Sequence, residues 1–394
     1  MLKDTDAVIV SAVRTPLGSF GGSLSKTGAT DLGALVIGEA VARASIDKSE
    51  VQEVIMGMVL PCGYGQNPGR QAAIKANIPM EAGGLTINKV CGSGLMAIAI
   101  ASEFIKTGYT EIAVAGGMEN MSMAPYYEPS ARWGARMGDV KLMDHMVHDG
   151  LWDVVNDFHM GISNDIISDK WGISRKDQDL LAFKSYEKAL KSIADGKFRD
   201  EIIPVSITDK KGERIFDTDE CPRETSLEVL SKMKPAFRKD GYATAGNSSV
   251  ISDGASAGVV MSYRAARERG IKPLVKIIAS GSAGIELKHV LAAPINSIPK
   301  VARKAGIDIQ KIDIHEINEA FAGSTLCVMR VLNLDEARVN INGGSIALGH
   351  PIGASGARVL TTLIYEMKRR NATLGQASLC LGGAEAVTVI VENI

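Results

Sequence analysis

Four short stretches put reactive side chains at turns: Cys91 in NKVCGSG, Asn318 in HEINEAFAG, His350 in GHPIGASG and Cys380 in LCLGGAEA. A thiol attacks as its thiolate, and the positive end of a helix favours that form. Cys91 stands where a strand pattern stops and a helical one starts, so the spacing predicts a thiol with a depressed pKa at a helix N-terminus. Gly92 and Gly94 allow a tight turn and leave room for an acyl group. His350, held between Gly349 and Pro351, is the candidate general base. Cys380 closes a strand pattern and offers a second thiol as acid or base, and the nearby Gly382 N–H is a candidate oxyanion donor.

Each residue also has a bland reading, since free cysteine is among the most buried residue types. Taken together, two thiols, an imidazole and an amide at turns favour nucleophilic thiol chemistry. A cysteine hydrolase uses Cys, His and Asn as well. The second thiol is superfluous for hydrolysis and favours acyl transfer between thiols. HEINE at 315–319 departs from the zinc pattern HExxH because position 319 is Glu. Neither GxGxxG nor GxxxxGK[ST] occurs, so no dinucleotide or P-loop site is expected.

The elements that must position these groups alternate between strand and helix, the signature of an α/β fold. Strand patterns cover 6–11, 51–59, 85–90 and 111–115, with helices over 31–44 and 95–106. In the first helix Leu32, Leu35, Val36 and Ala40 share a side; in the second Leu95, Ile98, Ser102 and Ile105 do, with Gly108 as the terminator. The far end repeats the plan: a strand pattern at 338–342, the loop GGSIALGHPIGASG, a helix over 358–370 and a strand at 376–381. Both copies end in Gly-Gly, at Gly116-Gly117 and Gly382-Gly383, which points to an internal duplication. Between them, from Asn120 to Ala245, Met, Trp, His and charges enter, and Ser174 with Asp177 reads as a capping box opening a helix to Ala194. Along that helix Leu180, Phe183, Glu187 and Leu190 keep helical step.

Composition narrows the class. A net charge of -1 offers no basic excess for nucleic acid. No run of eighteen uninterrupted apolar residues marks a membrane span, the N-terminus does not read as a signal peptide, and VENI is not a peroxisomal tripeptide. The five cysteines are scattered and form neither a disulfide framework nor a zinc site, so a reducing cytoplasm is expected.

In this order and at these separations, NKVCGSG, NEAFAG, GHPIGASGAR and CLGG resemble the thiolase family, as do GGMENMS, KPAF and TAGNSS. The resemblance runs from Val8 to the C-terminus. It implies a five-layered αβαβα core made of two similar halves, here 1–119 with 246–268 and 269–394, and a loop domain at 120–245 covering coenzyme A. It implies that Cys91 carries the acyl group, His350 activates it, Cys380 moves the substrate proton, Asn318 holds a water in one oxyanion hole, and the N–H groups of Cys91 and Gly382 form the other. His159 corresponds to a pocket histidine. Ser249 and Arg223 correspond to coenzyme A contacts, Met160, Leu151 and Phe321 would line the acyl pocket, and Phe237 and Ala320 are substrate- or coenzyme A-binding positions. The Met after His159 resembles the short-chain branch. The implied activity is therefore reversible condensation of two acetyl-CoA to acetoacetyl-CoA and CoA, by ping-pong kinetics. No metal or redox cofactor is needed, and a homodimer or homotetramer is expected. A broader-chain 3-ketoacyl-CoA thiolase, a weak acyl-CoA-channelling subunit and a decarboxylating ketoacyl synthase are the alternatives.

Two departures stand out. The family continues CxGGGxG where this chain has CLGGAEA, so Ala384 is strained if its φ is positive. LAAPI at 291–295 replaces a common Gly-Pro pairing and touches the expected pantetheine wall.

Overall fold

The structure, a computed structural model, describes residues 2–209 and 212–394. The first half is built on β1 (Ala7–Arg14), β2 (Glu53–Gly57), β3 (Gly83–Ile87), β4 (Ile112–Asn120) and β5 (Ser252–Ser262), in the spatial order β3-β2-β4-β5-β1. The second uses β6 (Val275–Gly284), β7 (Ile314–Ile317), β8 (Leu374–Leu381) and β9 (Glu385–Asn393), in the order β7-β8-β9-β6. A parallel bridge from Val339 to His315 takes the place that β3 takes in the first half. In both halves the inner pairs next to that edge are parallel and the rest antiparallel, so the duplicated plan expected from the sequence is present. Among the described residues, the strands of the two halves pair edge to edge only at Val8↔Lys276 and Ile9↔Val275.

Strands covered on both faces read as near-continuous apolar runs, and β1 and β4 do. Val8, Val10, Val13, Ile112 and Val114 face the outer helices α1 (Ala29–Arg43) and α2 (Pro68–Lys75). Ala7, Ile9, Ala12, Ala113 and Ala115 face inward, onto α3 (Ser93–Thr107). The inserted segment between β4 and β5 carries α4 (Met160–Trp171) and α5 (Arg175–Ala194). The second half has α6 (Pro294–Ala305) and α7 (Ala322–Leu332) outside, a helical turn α8 (Ser345–Leu348), and α9 (Ser355–Arg370) inside. Helices α3 and α9 pack on each other and on the inner faces of both halves, completing the five layers. By length and composition Val90–Thr107 is apolar enough to cross a membrane, and its place in that central layer accounts for the composition.

Several local expectations hold. The four residues Leu95, Ile98, Ser102 and Ile105 are buried, Gly108 ends α3 at φ 75, and Ser174 and Asp177 form the reciprocal cap of α5. Others need correction. Leu35 is 41% exposed, because α1 turns Leu32, Val36, Ile37, Ala40 and Val41 to the sheet. In α5 the buried stripe is Leu181, Ala182, Ser185, Tyr186 and Ala189, so Leu180 is 38% exposed and Glu187 faces solvent. Residues 338–342 form no strand beyond the single bridge at Val339: Asp335 caps a 3₁₀ turn at Glu336–Arg338, and Asn340, whose N–H still donates to His315 O, turns at φ 45 and ends the pairing.

Candidate active site

The site is assembled where α3 and α9 start. A Cβ on Gly356 would lie 2.3 Å from Leu95 N, and one on Gly94 would lie 2.8 Å from Ala357 N. Only glycine permits this approach, and it brings the loop before α3, with Cys91, beside the loop before α9, with His350. A Cβ on Gly92 would lie 2.6 Å from Leu381 and 2.7 Å from Val387, so the Cys91 turn also lies flat on the β8–β9 hairpin that carries Cys380.

The Cys91 turn is strained. Val90 has φ 45, a region that β-branched residues seldom occupy. Ser93 holds it in place: its hydroxyl donates to Val90 O at 2.7 Å and accepts the Lys89 N–H at 2.8 Å. Lys89 also pairs with Glu385 across the hairpin. The expected depressed thiol pKa is not found. Burial pushes the Cys91 thiol up to about 12, against the N–H groups of Cys91 itself and of Gly382, which favour the thiolate, while the Glu119 carboxylate adds to the rise. Desolvation therefore outweighs the helix terminus in the unliganded chain. Burial also raises the Cys380 thiol well above its ordinary value, and the neighbouring Cys91 adds to the rise.

His350 is fixed in one tautomer. Its N–H donates to Ser252 Oγ at 2.6 Å and to Val250 O at 2.8 Å, anchoring the backbone. Ser355 Oγ gives its proton to Pro351 O at 2.8 Å and so accepts from His350 Nδ1–H at 2.6 Å. That leaves Nε2 unprotonated, 3.4 Å from Asn318 Nδ2. Burial, with the Arg358 cation behind it, holds the imidazole down to about 3, so it rests neutral. The departure at CLGGAEA has the expected geometry: Ala384 adopts φ 61, with its methyl buried beside Cys380, Val290 and Leu291.

Cys91, His350 and Cys380 open on one cavity of about 250 Å³, walled by Leu151, His159, Met160, Phe237, Ser249, Ala320 and Phe321. Phe237 stacks on His159 at 4.4 Å and meets Phe321 edge-on at 6.0 Å. Burial holds His159 down to about 4, and its Nδ1 accepts the Gly161 N–H. Such a site offers a nucleophilic thiol, an acceptor nitrogen, a second thiol and convergent N–H donors in apolar surroundings.

The sequence matches the family descriptions "Thiolase, N-terminal domain" over residues 7–264 and "Thiolase, C-terminal domain" over 271–393. The chain belongs to the thiolase family. Among curated relatives, the acetyl-CoA acetyltransferase of Pseudomonas aeruginosa is 50% identical over 98% of this chain and 99% of its own. That of Escherichia coli is 46% identical over 99% of each. Among solved structures, the Bacillus anthracis acetyl-CoA acetyltransferase superposes with a TM-score of 0.97 at 40% identity, over 99% of both chains.

Most of the residues singled out from this thiolase's sequence converge, but not all line the cavity. Arg223 is exposed and sits over the Tyr186 ring at 5.5 Å, outside the walls. Asn318 reaches the site through His350, and Gly382 through its N–H toward the Cys91 sulfur. Met121, Ser248, Val250, Ile251 and Ile352 also line it without being sequence-predicted site residues, and Leu291 does so from the LAAPI stretch. Met121, Ser248 and Ile352 sit inside motifs already singled out, GGMENMS, TAGNSS and GHPIGASG, so the signal was adjacency to those motifs.

Proposed function

We propose that this thiolase is an acetyl-CoA acetyltransferase, joining two acetyl-CoA into acetoacetyl-CoA and CoA and catalysing the reverse thiolysis. The observation carrying this reading is that Cys91, His350 and Cys380 open together on one small apolar cavity.

With Cys91 protonated and His350 neutral at rest, proton transfer to His350 Nε2 accompanies attack rather than preceding it. The Cys91 sulfur bonds to the acetyl carbonyl carbon while the Gly382 and Cys91 N–H groups receive the oxyanion. The C–S bond to coenzyme A breaks, and the leaving thiolate takes its proton from Cys380, which leaves a Cys380 thiolate beside a protonated His350. Cys380, as thiolate, then removes a C2 proton from a second acetyl-CoA, whose carbonyl oxygen faces His350 and a water held by Asn318. The carbanion attacks the acetyl carbon on Cys91, that C–S bond breaks, and Cys91 takes back the proton held by His350. The substrates are coenzyme A esters, and the reading assigns no metal or redox cofactor.

A short acyl group suits the cavity, which falls under the roughly 300 Å³ at which pockets for larger ligands begin. We assign segment 120–245 as the cover over coenzyme A, between halves 1–119 with 246–268 and 269–394. Trp133, Met137 and Leu142 on that cover are exposed, which supports a homo-oligomer, dimer or tetramer. Five free cysteines suit the cytoplasm. The test is thiolysis of acetoacetyl-CoA beside a 3-ketooctanoyl-CoA, with Cys91→Ser and Cys380→Ser. Preference for the short ester, loss of all acyl transfer in C91S, and Cys91 acetylation without condensation in C380S are expected. Equal cleavage of the longer ester overturns the short-chain assignment, and acetylation at another cysteine overturns that of the nucleophile.

A further inference from the structure

Behind Asn318 lies a chain of hydrogen bonds whose directions are forced by chemistry. Arg358 Nη2 donates to Ser345 Oγ at 2.9 Å. Guanidinium accepts nothing, so the Ser345 hydroxyl spends its own proton elsewhere. Asn318 Oδ1 takes it at 2.6 Å. With its oxygen engaged, Asn318 can only present Nδ2 toward His350 Nε2 and the reacting groups. Ser345, Arg358 and Asn318 are all buried, so water does not compete freely for these bonds. Nε and Nη1 of Arg358 have no hydrogen-bond partner among the described residues, which leaves Ser345 as the only side chain that receives its protons directly. Glu316 lies nearby, its carboxyl pushed up to about 8 by burial, with Arg358 opposing the rise.

An Asn side chain is nearly isosteric about its Cβ–Cγ axis, so packing alone does not choose which end faces the cavity. We propose that Ser345 and Arg358 are positioning residues that lock the Asn318 amide with Nδ2, and never Oδ1, toward the carbonyl oxygen of the second acetyl-CoA. A reversed amide would aim a carbonyl at a developing oxyanion and drop the water that stabilises it. This rests on the reading of Asn318 given under the proposed function. It also specifies the step affected: the one that forms or consumes the acetyl-CoA enolate. Acetyl transfer to and from Cys91, which relies on the Gly382 and Cys91 N–H groups, is left intact.

The test uses the full-length chain with Ser345→Ala, Arg358→Lys and Asn318→Ala. Three rates are compared: thiolysis of acetoacetyl-CoA, acetyl exchange between acetyl-CoA and labelled CoA, and alkylation of Cys91 by iodoacetamide, which develops no oxyanion. For S345A the expected result is a fall in the kcat of thiolysis of about 10- to 100-fold, less than the roughly 100- to 1000-fold for removing an oxyanion donor outright because the amide is freed rather than deleted, with KM, exchange and alkylation at wild-type values. R358K, which keeps the charge on a shorter stem, should show the same split more weakly. Wild-type thiolysis in S345A alongside an impaired N318A overturns the lock alone. An equal fall in all three rates overturns it too, since that is general distortion. An unimpaired N318A overturns the role of Asn318 itself, and absence of thiolysis in the wild type overturns the parent reading.

Discussion

The contact between α3 and α9 gives the sharpest perturbation. In Gly356→Ala the new Cβ would lie 2.3 Å from Leu95 N, 2.7 Å from Leu95 Cβ and 3.0 Å from Leu95 Cα. Carbon atoms rest at about 3.5–4.0 Å, so the two helix starts must part by about 1 Å. The obstruction is partly backbone and cannot swing away as a side chain would. Overpacking of this kind costs about 1–3 kcal/mol, and the upper end applies. At about 2 °C per kcal/mol for a chain of this size, the midpoint should fall by roughly 5 °C. The catalytic loss should be larger, because Cys91 precedes one helix and His350 the other. A misplacement of about 1 Å can cost about 100-fold, and it should appear in kcat for acetoacetyl-CoA thiolysis. Gly38→Ala is the control: it lies in α1 with open space around its Cβ, so its midpoint should hold or rise slightly with kcat unchanged. A G356A enzyme with wild-type kcat and midpoint would refute the claim that this contact sets the distance between the catalytic loops.

Three further outcomes follow from the site. Because burial raises the Cys91 thiol to about 12, its thiolate fraction grows with pH, and alkylation of the unliganded enzyme should rise about tenfold per unit from pH 7 to 9; a plateau below pH 8 means the thiol is activated at rest. Ala384→Gly relieves about 1–2 kcal/mol of left-handed strain, but gives up about 0.8 kcal/mol of methyl burial and about 0.4–1 kcal/mol through the looser unfolded chain. Its midpoint should therefore barely move, and a shift beyond roughly 5 °C either way contradicts that balance. Met160→Ala should enlarge the cavity and raise the relative kcat/KM for a six-carbon 3-ketoacyl-CoA by about tenfold, whereas unchanged selectivity removes Met160 from the pocket wall.

Local chemistry made much of this legible in advance. The alternating plan, the duplication and the four reactive stretches follow from periodicity and glycine placement, and the strain at Ala384 follows from one residue in a turn that favours glycine. What failed depended on neighbours distant in sequence. Leu35 and Leu180 fit a helical step, but which stripe is buried depends on the surface each helix meets. The Cys91 thiol departs from expectation for the same reason: the helix terminus is local and visible, while the burial that raises the thiol comes from residues distant in sequence. The Ser345 and Arg358 support to Asn318 likewise joins two helices to a loop, and no spacing rule connects them.

The paired helices also explain why the duplicated scaffold holds one candidate site. Both begin at a Ser-Gly pair, Ser93-Gly94 in α3 and Ser355-Gly356 in α9. Counting back equally from each start, the counterpart of Cys91 is Gly353. A Cβ there would lie 2.6 Å from the Glu119 carboxylate and 2.9 Å from Met118 O, so the mirror position has no space for any thiol. The approximate two-fold of the duplicated scaffold thus stops at its axis. One repeat carries Cys91, and the other fills the matching position with backbone and carries His350, Asn318 and Cys380 instead.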